Sequence, residues 1–531
     1  MPISWSRLLA LTPALATAFL TACAEPAPSG DAEGVEPASS ALTAQDRLDL
    51  CAQDPRVIAG LVSAQVCAGA DLFFRETFEG NGRSCGTCHP VGNNFTIDVP
   101  FINALDASNP FDPLFVADND ADIAGLETPS LRAFGLILEN VDGFEDLDKK
   151  FSLRSVPHTL SLALTLEPDP ADGSSDPPVH RTGWSGDGAP GDGSLRAFLT
   201  GAIKQHYPTD LAREVDVAFR LPTEQELDLV EDFQLSLGRT NEINLQQVNL
   251  ADPDANAGRL AFMDPAKGRC NVCHFNGGAN HQVTGLNRNF DTGTRLAPLS
   301  PFDPEGDGVF DGGFGGQNLT SPNFDVLGDL DPGGLFTGFG DGKFNTPPVI
   351  EAVDNPPFFH TNAFGSLEAA VAFYTGTQFS ASPAAAELTA EFGSPISFGS
   401  DDISNMARFL RVLGAAFNLD IAKQRLQAAH TLVNQFHDTR ADVQYGLMDL
   451  ARVEIDDVLE LFSAPELVTP LHTVAQTRLQ EAKSEIAAGL AATTWSQRQS
   501  RISAAISRVQ SARDQFGSNI NFQLGQGNLM Y

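Results

Sequence analysis

The chain has 531 residues, 42% hydrophobic and 19% charged, which excludes a disordered polymer and leaves apolar mass for more than one core. Its 68 Asp and Glu against 33 Lys and Arg give a formal net charge of -35, excluding the basic footprint that nucleic-acid binding requires. Such a surface would steer a small basic partner protein, and it serves equally to keep the chain in solution.

Residues 1–23 are expected to be a lipoprotein signal peptide. Arg7 supplies the positive start, and Leu8 to Phe19 is an apolar run too short to span a bilayer. The run ends in Leu20-Thr21-Ala22-Cys23, which resembles the bacterial lipobox. Cys23 would then carry lipid and anchor the chain to the outer membrane, facing the periplasm or the cell surface. Residues 24–45, rich in Ala, Pro, Ser and Gly over most of their length, read as a flexible tether. No further membrane span is expected.

Two Cys-x-x-Cys-His motifs follow, Cys85–His89 and Cys270–His274. This is the attachment pattern of a c-type haem: two thiols add to the macrocycle and the adjacent imidazole is held beneath the iron. In a chain with seven Cys and ten His, about 0.002 such matches are expected by chance. Two covalently bound haems are therefore expected, on Cys85, Cys88, Cys270 and Cys273, with His89 and His274 as iron ligands. A zinc site would need further ligands at zinc-like spacing, and none follows either motif. Cys51 and Cys67 remain, and in an oxidising compartment they are most simply a disulfide.

The surroundings of the motifs repeat. Gly69-Ala70-Asp71-Leu72-Phe73 precedes the first, and Gly258-Arg259-Leu260-Ala261-Phe262 precedes the second. Each unit closes on an amphipathic helix, expected over Glu224 to Gly238 and over Asp401 to Gly414. The expected fold is mainly α: two tandem class I cytochrome c-like haem domains, 46–245 and 246–418, with long loops over 104–127, 165–193 and 299–343. Residues 419–531 are expected to be a helical extension, in which 419–515 have helical periodicity broken by Pro465 and Pro470 and read as an appended bundle of about three helices. His430, His437 and His472 in it read as surface or packing residues.

The pattern over about 46–415 resembles the bacterial di-haem cytochrome c peroxidase/MauG superfamily. The resemblance rests on Gly80 to His89, Arg154 with Val156-Pro157, Gly183-Trp184-Ser185-Gly186-Asp187-Gly188, and Pro356-Pro357-Phe358-Phe359-His360. It implies that the first haem binds peroxide and the second relays electrons from a small cytochrome or cupredoxin, or from an oxidisable substrate. It places Trp184 between the haems as relay, and Tyr374 as the far ligand of the second haem, where a phenolate would favour ferric iron. His281, seven residues after His274, is an alternative ligand. At the first haem, Phe198 stands where the family has Gln and Pro208 where it has Glu. The nearest titratable group is His206, a candidate acid/base for O–O cleavage. His158 is a further candidate there, or a structural contact.

An apolar pocket with a Phe is similar to that of the di-haem rubber-cleaving dioxygenases, so peroxide and dioxygen chemistry both stand. A third reading is a non-enzymatic electron carrier. The family also holds calcium between its haem domains, and the candidate loops here are 118–122 and 303–308.

Overall fold

The computed structural model describes residues 42–119, 127–139, 152–165, 181–186, 193–210, 212–294, 313 and 342–531. The expected signal peptide, Cys23, most of the tether, and most of both candidate calcium loops lie outside them. The protein is mainly α-helical. Its strands, among the described residues, form three two-stranded antiparallel pairs, and no helix is long and apolar enough to cross a membrane.

The first helix, Ala44–Cys51, starts earlier than the expected end of the tether at 45, because Thr43 and Asp46 form a capping box. A disulfide joins its last residue, Cys51, to Cys67 in the next long helix, Ala64–Arg75. That helix crosses Glu224–Leu235 at Gly69, and Phe73 meets Phe233 edge to face at 5.3 Å. The closing helix stops at Leu235, short of Gly238. Gly238 instead turns at φ +70° against Ser161, where a side chain would collide.

The second half repeats this crossing. Pro253–Met263 meets Ser400–Phe436 at Gly258, and Phe262 meets Phe409 edge to face at 5.5 Å. The closing helix differs from expectation. It does not end near Gly414 but runs 37 residues to Phe436, so the expected boundary at 418 falls inside it. Gly414 is no stop signal. It lets Val353 pack closely on the helix, while Ala415, Ala416, Phe417 and Leu419 continue the buried face.

Three further helices follow, Ala441–Phe462, Thr473–Leu490 and Trp495–Arg513. Ala441–Phe462 and Trp495–Arg513 pack on the long helix and Thr473–Leu490 packs on those two, with Met448, Ile455, Ile486, Ile502 and Val509 fully buried. One apolar core runs from Phe73 through Phe262 and Phe409 to Val509, and residues 43–531 form one compact unit. The C-terminal tail then returns to the first two segments. Gly517–Ser518 pairs with Asn249–Leu250, the Asn528 amide exchanges hydrogen bonds with the backbone of Gly238 at 2.7 and 2.9 Å, and Tyr531 rests on Phe74.

The expected loop 104–127 is partly helical. Val99–Ser108 is capped by Asp98 and has Pro100 in its first turn, which accommodates a missing N–H. Beyond it, Leu136–Glu139 pairs with Ser152–Ser155 in the register Ile137 to Arg154. This pairing delivers Ser155 and Val156 to the candidate site.

Candidate functional site

Each Cys-x-x-Cys segment is a single helical turn, Cys85–Cys88 and Cys270–Cys273. The following His leaves the turn with nearly the same backbone in both: φ -120°, ψ 60° at His89 and φ -109°, ψ 62° at His274. Each His N–H donates to the carbonyl of the first Cys, at 2.9 and 2.8 Å. Gly86 permits the first turn to seat on Phe74, since a Cβ would stand 2.4 Å from that ring.

The two imidazoles are oriented alike. Nδ1 of His89 faces the carbonyl of Phe95 at 2.8 Å, and Nδ1 of His274 faces that of Pro347 at 3.0 Å. A carbonyl can only accept, so each Nδ1 carries the proton and each Nε2 keeps a free lone pair. This is how ligand histidines are commonly oriented. Burial lowers both imidazole pKa values to about 4 and pushes the thiols up, to about 11 at Cys85 and Cys88 and about 12 at Cys270 and Cys273.

A cavity of about 330 Å³, mostly apolar in its lining, reaches both motifs. His89, Cys270, Cys273, His274, Trp184, Phe198, His158 and Tyr374 all contribute to its wall. The Cys85 and Cys88 thiols lie off the wall, and that of Cys85 accepts from the Tyr207 hydroxyl at 3.2 Å. Four thiols, two imidazoles of fixed tautomer and an apolar chamber make the donor set that two covalently attached haems need. Among the described residues, no three His, Cys, Asp or Glu side chains converge as a site for a bare metal ion.

Trp184 is held between the two halves. Its indole N–H donates to the Ser155 carbonyl at 2.8 Å, and its ring meets His360 edge to face at 6.2 Å. His360 is buried and stacks on Phe344 at 4.0 Å. Ser155 in turn donates from its backbone N–H to the His360 carbonyl at 2.7 Å. Sequence reasoning quoted His360 only as part of a motif, and the Phe344 stack gave no sequence signal.

Tyr374 reaches the cavity among Phe359, Phe373 and Phe379, and burial raises its phenol pKa. His281, the alternative ligand, is not part of the cavity wall. It packs beside Phe290, with Nδ1 buried and unpartnered.

Phe198 and His206 are separated. Both lie on the helix Leu195–His206, but eight residues carry His206 roughly 12 Å along the axis from Phe198. Phe198 borders the cavity and its ring presses on Gly183; His206 is not on the cavity wall. Burial, reinforced by Arg83 and Arg213, lowers the His206 imidazole to about 3, so it is neutral at neutral pH. His158 does border the cavity, and its Nδ1 accepts from the Leu160 N–H at 3.3 Å.

Comparison of the chain with protein-family models, with curated proteins and with solved structures gives no match.

Proposed function

We propose that the protein is a di-haem c-type oxidoreductase made of two cytochrome c-like units, one haem held by Cys85, Cys88 and His89 and the other by Cys270, Cys273 and His274. The observation carrying this reading is the duplicated geometry of the two motifs, each with a tautomer-fixed His bordering one cavity. When bound, the two haems would supply one-electron redox chemistry toward peroxide.

The chain's own residues have defined parts in this reading. The carbonyls of Phe95 and Pro347 orient the proximal imidazoles and raise their basicity. Trp184 supplies an oxidisable ring between the two sites, Tyr374 supplies an anionic donor toward the second haem, and the apolar wall with Phe198 limits water. Of the two candidate acid/base groups, His206 lies buried off the wall and His158 borders the cavity. The charge of -35 suits a small basic donor protein. Lipid anchoring through Cys23 would place the enzyme at the periplasmic or outer surface.

The test is direct. The purified protein should give two haems by the pyridine haemochrome assay, and should oxidise a reduced small cytochrome when hydrogen peroxide is added. Two haems without donor oxidation sinks the peroxidase reaction. One observation favours a second reading, a dioxygenase similar to the rubber-cleaving enzymes: Phe198, which stands at the position where the peroxidases have a Gln, borders the cavity. Such an enzyme would hold dioxygen on one haem as isolated and ignore peroxide.

A further inference from the structure

Trp184 sits in a short segment, 181–186, whose backbone is gripped from the other half of the chain. The grip comes from one strand pair, in which Asn289 lies directly opposite Asn345. Residues opposite one another on an antiparallel pair project to the same side. The Asn345 side-chain amide donates to the carbonyl of Arg181 at 2.9 Å, and its backbone N–H donates to the carbonyl of Trp184 itself at 2.9 Å. The Asn289 amide donates to the carbonyl of Ser185 at 2.7 Å. Three donors from the second half thus hold three of the six carbonyls in the segment.

The segment is shaped to receive them. Gly183 and Gly186 both take positive φ, +73° and +71°. At Gly186 a Cβ would stand 2.6 Å from the Asn289 carboxamide, so only glycine lets that side chain approach. Asn289 is buried and Asn345 is half-buried. Their role needs a carboxamide, because a carboxylate has no donor and would repel a backbone carbonyl. On the opposite side of the segment, Ser155 accepts from the indole. The ring is therefore fixed from both ends, by its own N–H and by its backbone.

We propose that Asn289 and Asn345 are positioning residues for Trp184: the second half sets the pose of the indole that couples the two haem sites. The inference rests on the relay reading of Trp184 for its consequence, although the clamp itself is a matter of geometry. In effect the electron-relaying half would control how well its partner is connected, through two amides that never touch a haem ligand.

The test uses the full-length holoprotein carrying Asn289→Asp and Asn345→Asp together, which keeps size and removes the side-chain donors. Ultraviolet resonance Raman, with W184F subtracted to isolate the indole, reads the hydrogen bond of its N–H. Flash reduction of the half-reduced protein reads electron transfer between haems. The expected result is a moved indole N–H band and inter-haem transfer slowed by about tenfold or more, with both haem spectra intact. An unmoved band in a folded, two-haem variant overturns the proposal. If the double variant does not fold, N345D alone carries the same two readings. A moved band with a transfer rate that neither this variant nor W184F alters would uphold the clamp and sink the relay reading instead.

Discussion

Gly69 lies against the Leu229 carbonyl so closely that a Cβ built on it would stand 1.9 Å from the oxygen. The helices Ala64–Arg75 and Glu224–Leu235 therefore touch backbone to backbone, and any side chain at 69 must push them apart. Gly69→Ala is expected to destabilise the protein by about 1–3 kcal/mol or more, as overpacking of a tight crossing does. Gly258→Ala should act the same way, since its Cβ would stand 1.8 Å from the Asn405 carbonyl. Urea midpoints of the two variants check this, and a midpoint at or above wild type would contradict it.

Gly446 gives the opposite sign. It lies inside the helix Ala441–Phe462, exposed, with nothing within 4 Å of its Cβ position. Gly446→Ala should stabilise by about 0.5–1 kcal/mol through helix propensity alone. A loss of stability would mean that an unseen contact covers this face.

These glycines also show what the sequence could tell. Gly69 and Gly258 were visible as part of a repeat, because each starts a Gly-to-Phe pentad before a Cys-x-x-Cys-His motif. The long helix was not legible past Gly414, because a Gly at a helix–loop contact looks the same as a Gly that ends a helix. The tail after residue 515 was opaque for a different reason. Its pairings to Asn249, Gly238 and Phe74 reach back more than 250 residues, and no local pattern encodes them. At the site, the two Cys-x-x-Cys-His turns were legible because their spacing is local in the chain. The Asn289–Asn345 clamp and the separation of His206 from Phe198 depend on tertiary placement alone.

The Arg239–Glu351 pair is a buried ionic contact between the two halves of the chain. Both side chains are fully buried, the Arg239 Nε donates to Glu351, and the Ser161 hydroxyl adds a hydrogen bond of 2.8 Å to the same oxygen. Removing one partner strands the other charge in a medium of low dielectric. Glu351→Ala is expected to cost about 3–5 kcal/mol, with Glu242, 3.3 Å from Arg239, offsetting a part. Chemical denaturation reads the loss. A cost below about 1 kcal/mol would be typical of an exposed pair and would mean that the interface admits water.

Asp354 makes stability depend on pH. It accepts a hydrogen bond from the Asn418 amide, yet burial and the nearby Glu454 and Glu351 raise its carboxyl to about 7. A raised carboxyl pKa favours the protonated form in the folded state. Its contribution is therefore complete below the unfolded pKa and is lost as pH rises through 7. The urea midpoint should fall between about pH 4 and pH 7, by up to about 1.4 kcal/mol per pH unit for one proton, and level off above pH 7. Asp354→Asn should flatten that slope, and it should also ease Asp457, whose carboxyl is raised in part by Asp354. A slope that survives the substitution would assign the effect to Glu454 and Asp457.

Under the di-haem proposal Tyr374 and His281 are alternative far ligands for the second haem, and their surroundings separate them. Tyr374 borders the cavity that also receives His274, whereas His281 packs outside it beside Phe290. Tyr374→Phe keeps the ring contacts with Phe359, Phe373 and Phe379, so stability should change by no more than about 1 kcal/mol. If the phenolate is a ligand, its loss should replace one low-spin haem signal in the electron paramagnetic resonance spectrum and raise the reduction potential of that haem, because an anionic donor stabilises the ferric state. His281→Leu should leave both readings where they were. An unchanged low-spin signal in the Tyr374→Phe protein would remove Tyr374 from the ligand set, and a changed one in His281→Leu would place the ligand on the side of the chain that the cavity does not reach.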